Sequence, residues 1–176
     1  TLGFDWQPQA ARGTRLSLSW FDISYDNQIV GYLSDLSILN REASFASTGV
    51  ILRNPTPQQV AELTATYPLV RGVLPATWTL YVDGRSKNLA QSISRGIDFD
   101  LRTRLSHAQW GDWLLGLNGT WFTRHDVAAT ANSPFVSQLN TIYNPIRLRT
   151  RASAQWRLAN LTAAAVVNHT SAYKNN

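Results

Sequence analysis

The chain has 176 residues, a formal charge of +5 and 44% hydrophobic residues, with neither cysteine nor methionine. One domain suits that length; the missing cysteines exclude a disulfide framework and a thiolate metal site, and no run nears the roughly 20 apolar residues of a membrane-spanning helix. Membrane strands, whose alternation dilutes hydrophobicity, stay open, as do the anionic partners that a basic balance suits.

Leu2, Phe4 and Trp6 alternate with Gly3, Asp5 and Gln7 as far as Pro8, the period-two pattern of a strand. Residues 1–8 are expected to be the end of a strand whose start has been cut off. No basic region followed by an apolar run opens the chain, so no signal peptide is expected, and the missing Met points to a processed or excised segment. After a turn at 9–13, Leu16, Leu18 and Trp20 fall on one face. The phase then flips: Asp22, Ser24 and Asp26 continue that face, while Phe21, Ile23 and Tyr25 take the other. Such a flip fits a strand leaving lipid for water, and equally a bulge that shifts the register by one residue.

Residues 28–92 form the less regular part, and a connection of that length is usually functional or disordered. Within it a short helix is predicted near 57–66, with Thr56 as N-cap, Pro57 at the first helical position, Val60, Ala61 and Leu63 as an apolar stripe, and Pro68 as its stop. Short strands are expected around 37–53 and 77–82, with a turn at Asp83-Gly84. Tyr67, Trp78 and Tyr81 are candidate platforms for stacking on a ligand.

Residues 94–123 read as an antiparallel hairpin with a tight connection at 106–111. In its first arm Ile97, Phe99, Leu101 and Leu105 lie opposite Asp98, Asp100, Arg102 and Arg104. In its second arm Trp113, Leu115, Leu117 and Trp121 lie opposite Gly116, Asn118 and Thr120. A second irregular segment follows at 126–145, then a strand at 146–158 that carries Arg147, Arg149, Arg151 and Arg157 on one face, a tight turn at Ala159-Asn160, and a last strand at 161–173 with Ala163, Ala165 and Val167 on one face. The arginine ladder admits a solvated polar face, the wall of a polar lumen, or phosphate-backbone binding. No closing element ends the chain, which is expected to be truncated at both ends.

Six strands thus alternate with short, long, short, long and short connections, which puts all the short turns at one end. Soluble sandwiches rarely segregate their loops so cleanly, whereas outer-membrane barrels have short periplasmic turns and long extracellular loops. The expected class is all-β: antiparallel up-and-down strands from a transmembrane β-barrel, about six of them and so an incomplete barrel, with one short helix in a long loop. From Trp113 to Trp121 the apolar band rises roughly 20 Å, taking ~3.3 Å per residue and a tilt of about 40°. That approaches a lipid-facing band of about 25 Å, with the two tryptophans at opposite interfaces. On this reading Ile97, Phe99, Leu101, Trp113, Leu115, Leu117 and Trp121 face lipid. Asp98, Asp100, Arg102, Arg104, Arg147, Arg149 and Arg151 face the lumen.

The residues also resemble the C-terminal barrel region of TonB-dependent outer-membrane receptors. The resemblance rests on Gly3-Phe4-Asp5-Trp6-Gln7-Pro8, on Leu16-Ser17-Leu18-Ser19-Trp20-Phe21-Asp22-Ile23-Ser24-Tyr25, on Asn88-Leu89-Ala90, on Ser94-Arg95-Gly96-Ile97-Asp98-Phe99-Asp100-Leu101, and on Asn168-His169-Thr170 with Tyr173. It covers most of the chain in patches, including the loop around 55–67. It implies a wall segment of a plugged barrel of about 22 strands, located in the bacterial outer membrane and in contact with its lipid. The parent would take up a small-molecule ligand, an iron chelate (siderophore), cobalamin or saccharide, driven by the TonB energy-coupling complex through a plug that this sequence lacks. Six strands cannot close such a barrel, so the segment alone is not expected to transport.

No enzyme chemistry is expected. His107, His125 and His169 lack partners at metal-ligand spacing, and Asp98 and Asp100 share their face with Arg102 and Arg104, which favours ion pairing over acid-base work. No Gly-x-Ser-x-Gly elbow or phosphate loop occurs. Neither a cofactor nor nucleic acid is expected. The alternative is a soluble antiparallel β module that binds saccharide through Tyr67, Trp78 and Tyr81, with the apolar strand face buried.

Overall fold

The structure, a computed structural model, describes residues 1–31, 36–67 and 69–174, the side chain of Leu36 excepted. The elements in chain order are β1 (Leu2–Trp6), β2 (Thr14–Val30), a 3₁₀ segment (Leu36–Phe45), β3 (Ile51–Arg53), α1 (Pro57–Thr66), β4 (Leu80–Val82), β5 (Lys87–His107), β6 (Gly111–Ala128), β7 (Val136–Ser137), β8 (Leu148–Leu158) and β9 (Leu161–Thr170). The fold is all-β with few helical residues, as expected. It divides into two compact units, one of Thr1–Tyr25, Ser92–Val127 and Phe135–Asn176, the other of Asp26–Gln91 and Ala128–Pro134.

The first unit is built on a seven-stranded open sheet in the order β1-β2-β5-β6-β8-β9, with β7 added on β6. Register decides which side chains share a face. Leu2, Phe4 and Trp6 stand opposite Trp20, Leu18 and Leu16. Trp113, Leu115, Leu117 and Trp121 stand opposite Trp156, Ala154, Ala152 and Leu148, and the first three of these β8 residues face Ala163, Ala165 and Val167 of β9. Phe99 joins this apolar face, because its ring fills the space where a Cβ on Gly119 would fall, 2.8 Å from Phe99 Cζ. Gly119 therefore makes room for an aromatic ring between two strands.

Contacts along the sheet place three short turns on one edge. The Arg104 N–H donates to the carbonyl of Gly13, in the β1–β2 turn. Gly111, which follows the β5–β6 turn with φ of 75°, lies against Arg157 and Leu158, at the β8–β9 turn. Ala159 in that last turn is left-handed at φ 51°, as a two-residue hairpin requires.

No second layer packs on this sheet among the described residues of the first unit. Among the described residues of the first unit, Phe21 is the only buried large hydrophobic side chain, while Leu2 is 72% exposed, Phe4 57%, Trp121 46% and Leu117 39%. A sheet can bury one face against a second layer; the described residues of the first unit supply a single layer.

The phase flip in β2 occurs without a bulge. Phe21 packs edge-on against Phe122, centroids 5.4 Å apart, and its ring lies over Gly96. Ser17 and Asp5 are hydrogen-bonded, and Thr120 donates to Asp98 at 2.6 Å. Phe21, Phe122 and Gly96 each stand an even number of residues from Ser17, Thr120 and Asp98, so all six share the polar face in regular strands. In β2 the first left-handed residue is Asn27, at φ 58°. The change at Trp20 and Phe21 lies in residue type, not in backbone register.

In the second unit Ile38, Phe45 and Val50 are 1%, 1% and 0% exposed and form a small core with Val30, Leu39, Ile51, Val82, Leu89 and Ala129 around it. The strand expected around 37–53 is corrected here: only Ile51–Arg53 is strand, and Leu36–Phe45 is 3₁₀, interrupted at Arg41. Ile38 and Phe45 are seven residues apart, and an odd separation would send them to opposite faces of a strand. Helical turns allow both to enter one core. Glu42 and Arg53 then pair, with Arg53 Nε 3.0 Å from Glu42 Oε1, tying the segment to β3; the ion pair holds the Glu42 carboxyl below its usual range. The other expected strand, 77–82, shortens to Leu80–Val82.

Helix α1 has the predicted bounds. The Gln59 N–H donates to Thr56 Oγ1 at 3.2 Å and the Thr56 N–H to Gln59 Oε1 at 2.8 Å, a complete capping box behind Pro57. It buries no residue, so its caps rather than its packing define it. Pro68, expected to end it, lies outside the described residues.

Candidate functional site

The polar face of the first unit gathers most of the residues singled out for a lumen. Asp98 and Asp100 project from β5 beside Asn118 and Thr120 of β6, and with Gly3, Asp5, Arg15, Ser17 and Ser19 they line a shallow trough of about 610 Å³. Each carboxylate there has a local partner. Asp98 accepts from Thr120, Arg102 Nε stands 3.0 Å from Asp100, and Asp5 accepts from Ser17 and lies 3.3 Å from Arg15. Alternation makes this pairing: residues two apart on a strand face the same way, so Asp100 and Arg102 meet without any loop.

Arg149 and Arg151 continue the same face, because Thr120 stands opposite Arg149 and Asn118 opposite Arg151. Arg104 lies at the turn end, lining a smaller hollow with Asp112, Gln155 and Arg157. Arg147 is placed differently. The ladder strand begins at Leu148, one residue later, and the Arg147 N–H donates to Asn140 Oδ1 at 2.6 Å. Asn140 is left-handed at φ 63°, and its side chain caps the entry to β8.

At the other end of the band the apolar face becomes polar. Arg95 Nε stands 2.8 Å from Asp22 Oδ2, in line with Trp20 and Ile97 of the same strands. His125 Nδ1 hydrogen-bonds Ser94 Oγ at 2.9 Å, and His107 Nδ1 accepts from the Gln109 N–H at 3.2 Å in the β5–β6 turn. Among the described residues no three His, Asp or Glu side chains converge on one point.

The three candidate stacking residues sit in the second unit, and they are engaged. Trp78 and Tyr81 stack on each other, centroids 6.0 Å apart at 21°. The Arg85 guanidinium lies 3.5 Å from the Tyr67 ring centre, a cation-π contact. Burial pushes the Tyr81 phenol up, with Asp83 adding to it.

Arg85 belongs to a cluster that the sequence reading treated only as a turn. Asp83 is 3% exposed. It accepts Arg85 Nε at 2.7 Å and Nη2 at 2.6 Å in a fork, and Lys87 Nζ at 3.0 Å. These hydrogen bonds, Arg85 first, hold its carboxyl well below the usual carboxylate range, and Arg85 is raised in turn. The legible signal was Asp83-Gly84-Arg85-Ser86-Lys87, a carboxylate with cations two and four residues on. No family model, curated protein or solved structure matches this chain.

Proposed function

We propose that this chain is a wall segment of a TonB-dependent outer-membrane receptor that takes up a scarce nutrient, with the apolar face of the first unit on lipid and the polar face on the lumen. One observation carries the reading: a one-layer sheet with an uncovered apolar face, bordered by Trp113 and Trp156 toward the short turns and by Trp20 and Trp121 toward the long connections. Each large apolar side chain removed from water gains about 1.5–3 kcal/mol, and a bilayer supplies that burial without a second protein layer. Indole suits both margins, since it is apolar in body and polar at its N–H. Trp156 fits the pattern, donating its Nε1–H to the carbonyl of Trp110 at 2.7 Å.

The second unit takes in the end of β2, the start of β5, the connection between them with α1 and the Asp83 cluster, and residues 128–134; it belongs to the extracellular side on this reading. Energy coupling would come through a plug domain outside this sequence. The soluble saccharide module has weaker support. It needs Tyr67, Trp78 and Tyr81 as open stacking faces, and it needs the apolar sheet face covered.

Cell fractionation of the organism's own protein tests the reading, joined to electrophoresis with and without boiling and to growth under limitation for iron, cobalamin or a saccharide. Outer-membrane recovery, heat-modifiable mobility and a growth defect on deletion are the expected results. Recovery as a soluble monomer would overturn it.

A further inference from the structure

We propose that Arg149 and Arg151 form a binding site for a solute with clustered anionic oxygens, a polycarboxylate or a polyphosphate, which would narrow the nutrient class; the inference rests on the polar face being the lumen wall. The β8 registers build the site. Arg151 stands between Asn118 of β6 and Asn168 of β9, and Arg149 between Thr120 and Thr170. The two arginines thus spring from one face with Cα atoms roughly 7 Å apart along the strand, flanked by two amide and two hydroxyl residues. That spacing lets one polyanion bridge both forks, and guanidinium matches carboxylate or phosphate oxygens in pairs.

Charge partition over the sheet separates this place from the rest of the face. On β1, β2 and β5 Asp5 pairs with Arg15 and Asp100 with Arg102, while Arg104 lies at the turn end in a hollow that it shares with Asp112. Asp98, two strands from Arg149 and so roughly 10 Å away, is held by Thr120. Arg157 has Asp112 directly opposite. Among the described residues neither Arg149 nor Arg151 has a carboxylate opposite on either neighbouring strand, and both are exposed. The hollow over them holds about 460 Å³, within the range of small-molecule sites. Its level fits a mouth: Leu148 opposite Trp121 marks the long-connection margin, and Arg149 and Arg151 lie one and three residues inside it.

Calorimetric titration of the intact protein in detergent with citrate, pyrophosphate and neutral sucrose tests this. Binding of citrate or pyrophosphate, falling as salt is raised, with sucrose silent, is the expected result. Citrate alone would identify a carboxylate ligand and pyrophosphate alone a phosphate ligand. The double replacement Arg149→Gln with Arg151→Gln should weaken the anion at least tenfold. Arg149→Lys with Arg151→Lys, keeping charge but losing the fork, should give an intermediate loss, and Arg157→Gln should change affinity less than about twofold. The inference is overturned if no anion binds better than sucrose, as when an acidic side chain from elsewhere in the polypeptide fills the site, or if the double Gln protein binds as wild type. Heat-modifiable mobility is read on every variant, so loss of binding in an assembled protein condemns the site alone, and failure of wild type to reach the membrane condemns the functional reading instead.

Discussion

Leu117 is the most informative single position for the membrane reading. It stands opposite Ala152, which stands opposite Val167, and it lies midway between Trp113 and Trp121 on the apolar face. At ~3.3 Å per residue and a tilt of about 40°, four residues place it roughly 10 Å from either tryptophan level. An arginine there has no carboxylate among its cross-strand neighbours. At such depth it should cost about 2–4 kcal/mol, whereas near the interfaces the cost falls to about 0–1 kcal/mol. The contrast lies in three further arginines. Leu115→Arg, two residues closer to the turns, should cost slightly less than Leu117→Arg. Leu161→Arg, level with Leu158 and beyond the Trp156 row, should be nearly neutral. Leu114→Arg is the face control, because Leu114 stands opposite Gln155 on the polar side. Urea titration of protein folded into lipid vesicles, together with heat-modifiable mobility, gives the four values. A cost of about 3 kcal/mol corresponds to roughly a hundredfold in the folding equilibrium. Equal tolerance of Leu117→Arg and Leu114→Arg would refute the assignment of faces. A cost at Leu161 equal to that at Leu117 would refute lipid depth as its cause.

Asp83→Asn leaves Arg85 and Lys87 facing a neutral amide and should destabilise the second unit by about 2–3 kcal/mol, less than a fully buried pair because Arg85 is half exposed; Trp78 fluorescence during urea unfolding reads it. The folded Asp83 pKa lies below its unfolded value, so the stabilisation is complete above the usual carboxylate pKa and is lost as pH falls through the folded one. The Trp78 signal should hold from neutral pH to about pH 4, the ordinary carboxylate range, and change only below it; loss of the signal between pH 6 and 7 would contradict the assignment. At Gly96 an added Cβ would lie 2.5 Å from the Phe21 ring and 2.7 Å from the Trp121 carbonyl oxygen. Gly96→Ala should therefore cost about 1–3 kcal/mol, and adding Phe21→Leu should recover part of it, measured by the same vesicle titration.

The strands with one wet and one apolar face were legible, because alternation is a direct record of that asymmetry. Ile97 to Leu101, Trp113 to Trp121 and the β8 arginines needed only period two, and α1 was readable from Thr56, Pro57 and Gln59. Legibility failed where both faces have similar surroundings. β2 runs on to Val30, β5 starts at Lys87 and β6 ends at Ala128, in stretches that are almost wholly exposed on β2 and mostly half-buried on β5 and β6, without contrast between the faces. β7 was hidden in 126–145 because two residues carry no period. The 3₁₀ segment was misread because Ile38 and Phe45 reveal their common core only once Val50 and Val82 are in place. The Asp83 cluster had its charges in view, but burial of the carboxylate comes from tertiary packing.

The behaviour of β2 ties these levels together. Two explanations of its change of phase made different structural demands: a bulge shifts the backbone, whereas a change of surroundings leaves the backbone regular and alters the residues. Phe21, Gly96 and Phe122 keep step with Ser17, Asp98 and Thr120, so the backbone stays regular. The change at Trp20 therefore lies in residue type on each face, and on the proposed membrane reading it marks a change of medium at that level. Outside, Leu18 and Trp20 give way to Asp22, paired with Arg95. Inside, Ser17 and Ser19 give way to Phe21, which is buried against Phe122. A sheet packed in a soluble core would have no reason to exchange polarity on both faces at one height. On the proposed reading, a sheet that leaves lipid outside while Phe21 and Phe122 pack together on its inner face does, and the neighbouring strands repeat the outer change, with Ile97 following Arg95 on β5 and Thr123 following Trp121 on β6. This common level across three strands supports the bilayer margin more strongly than any one tryptophan.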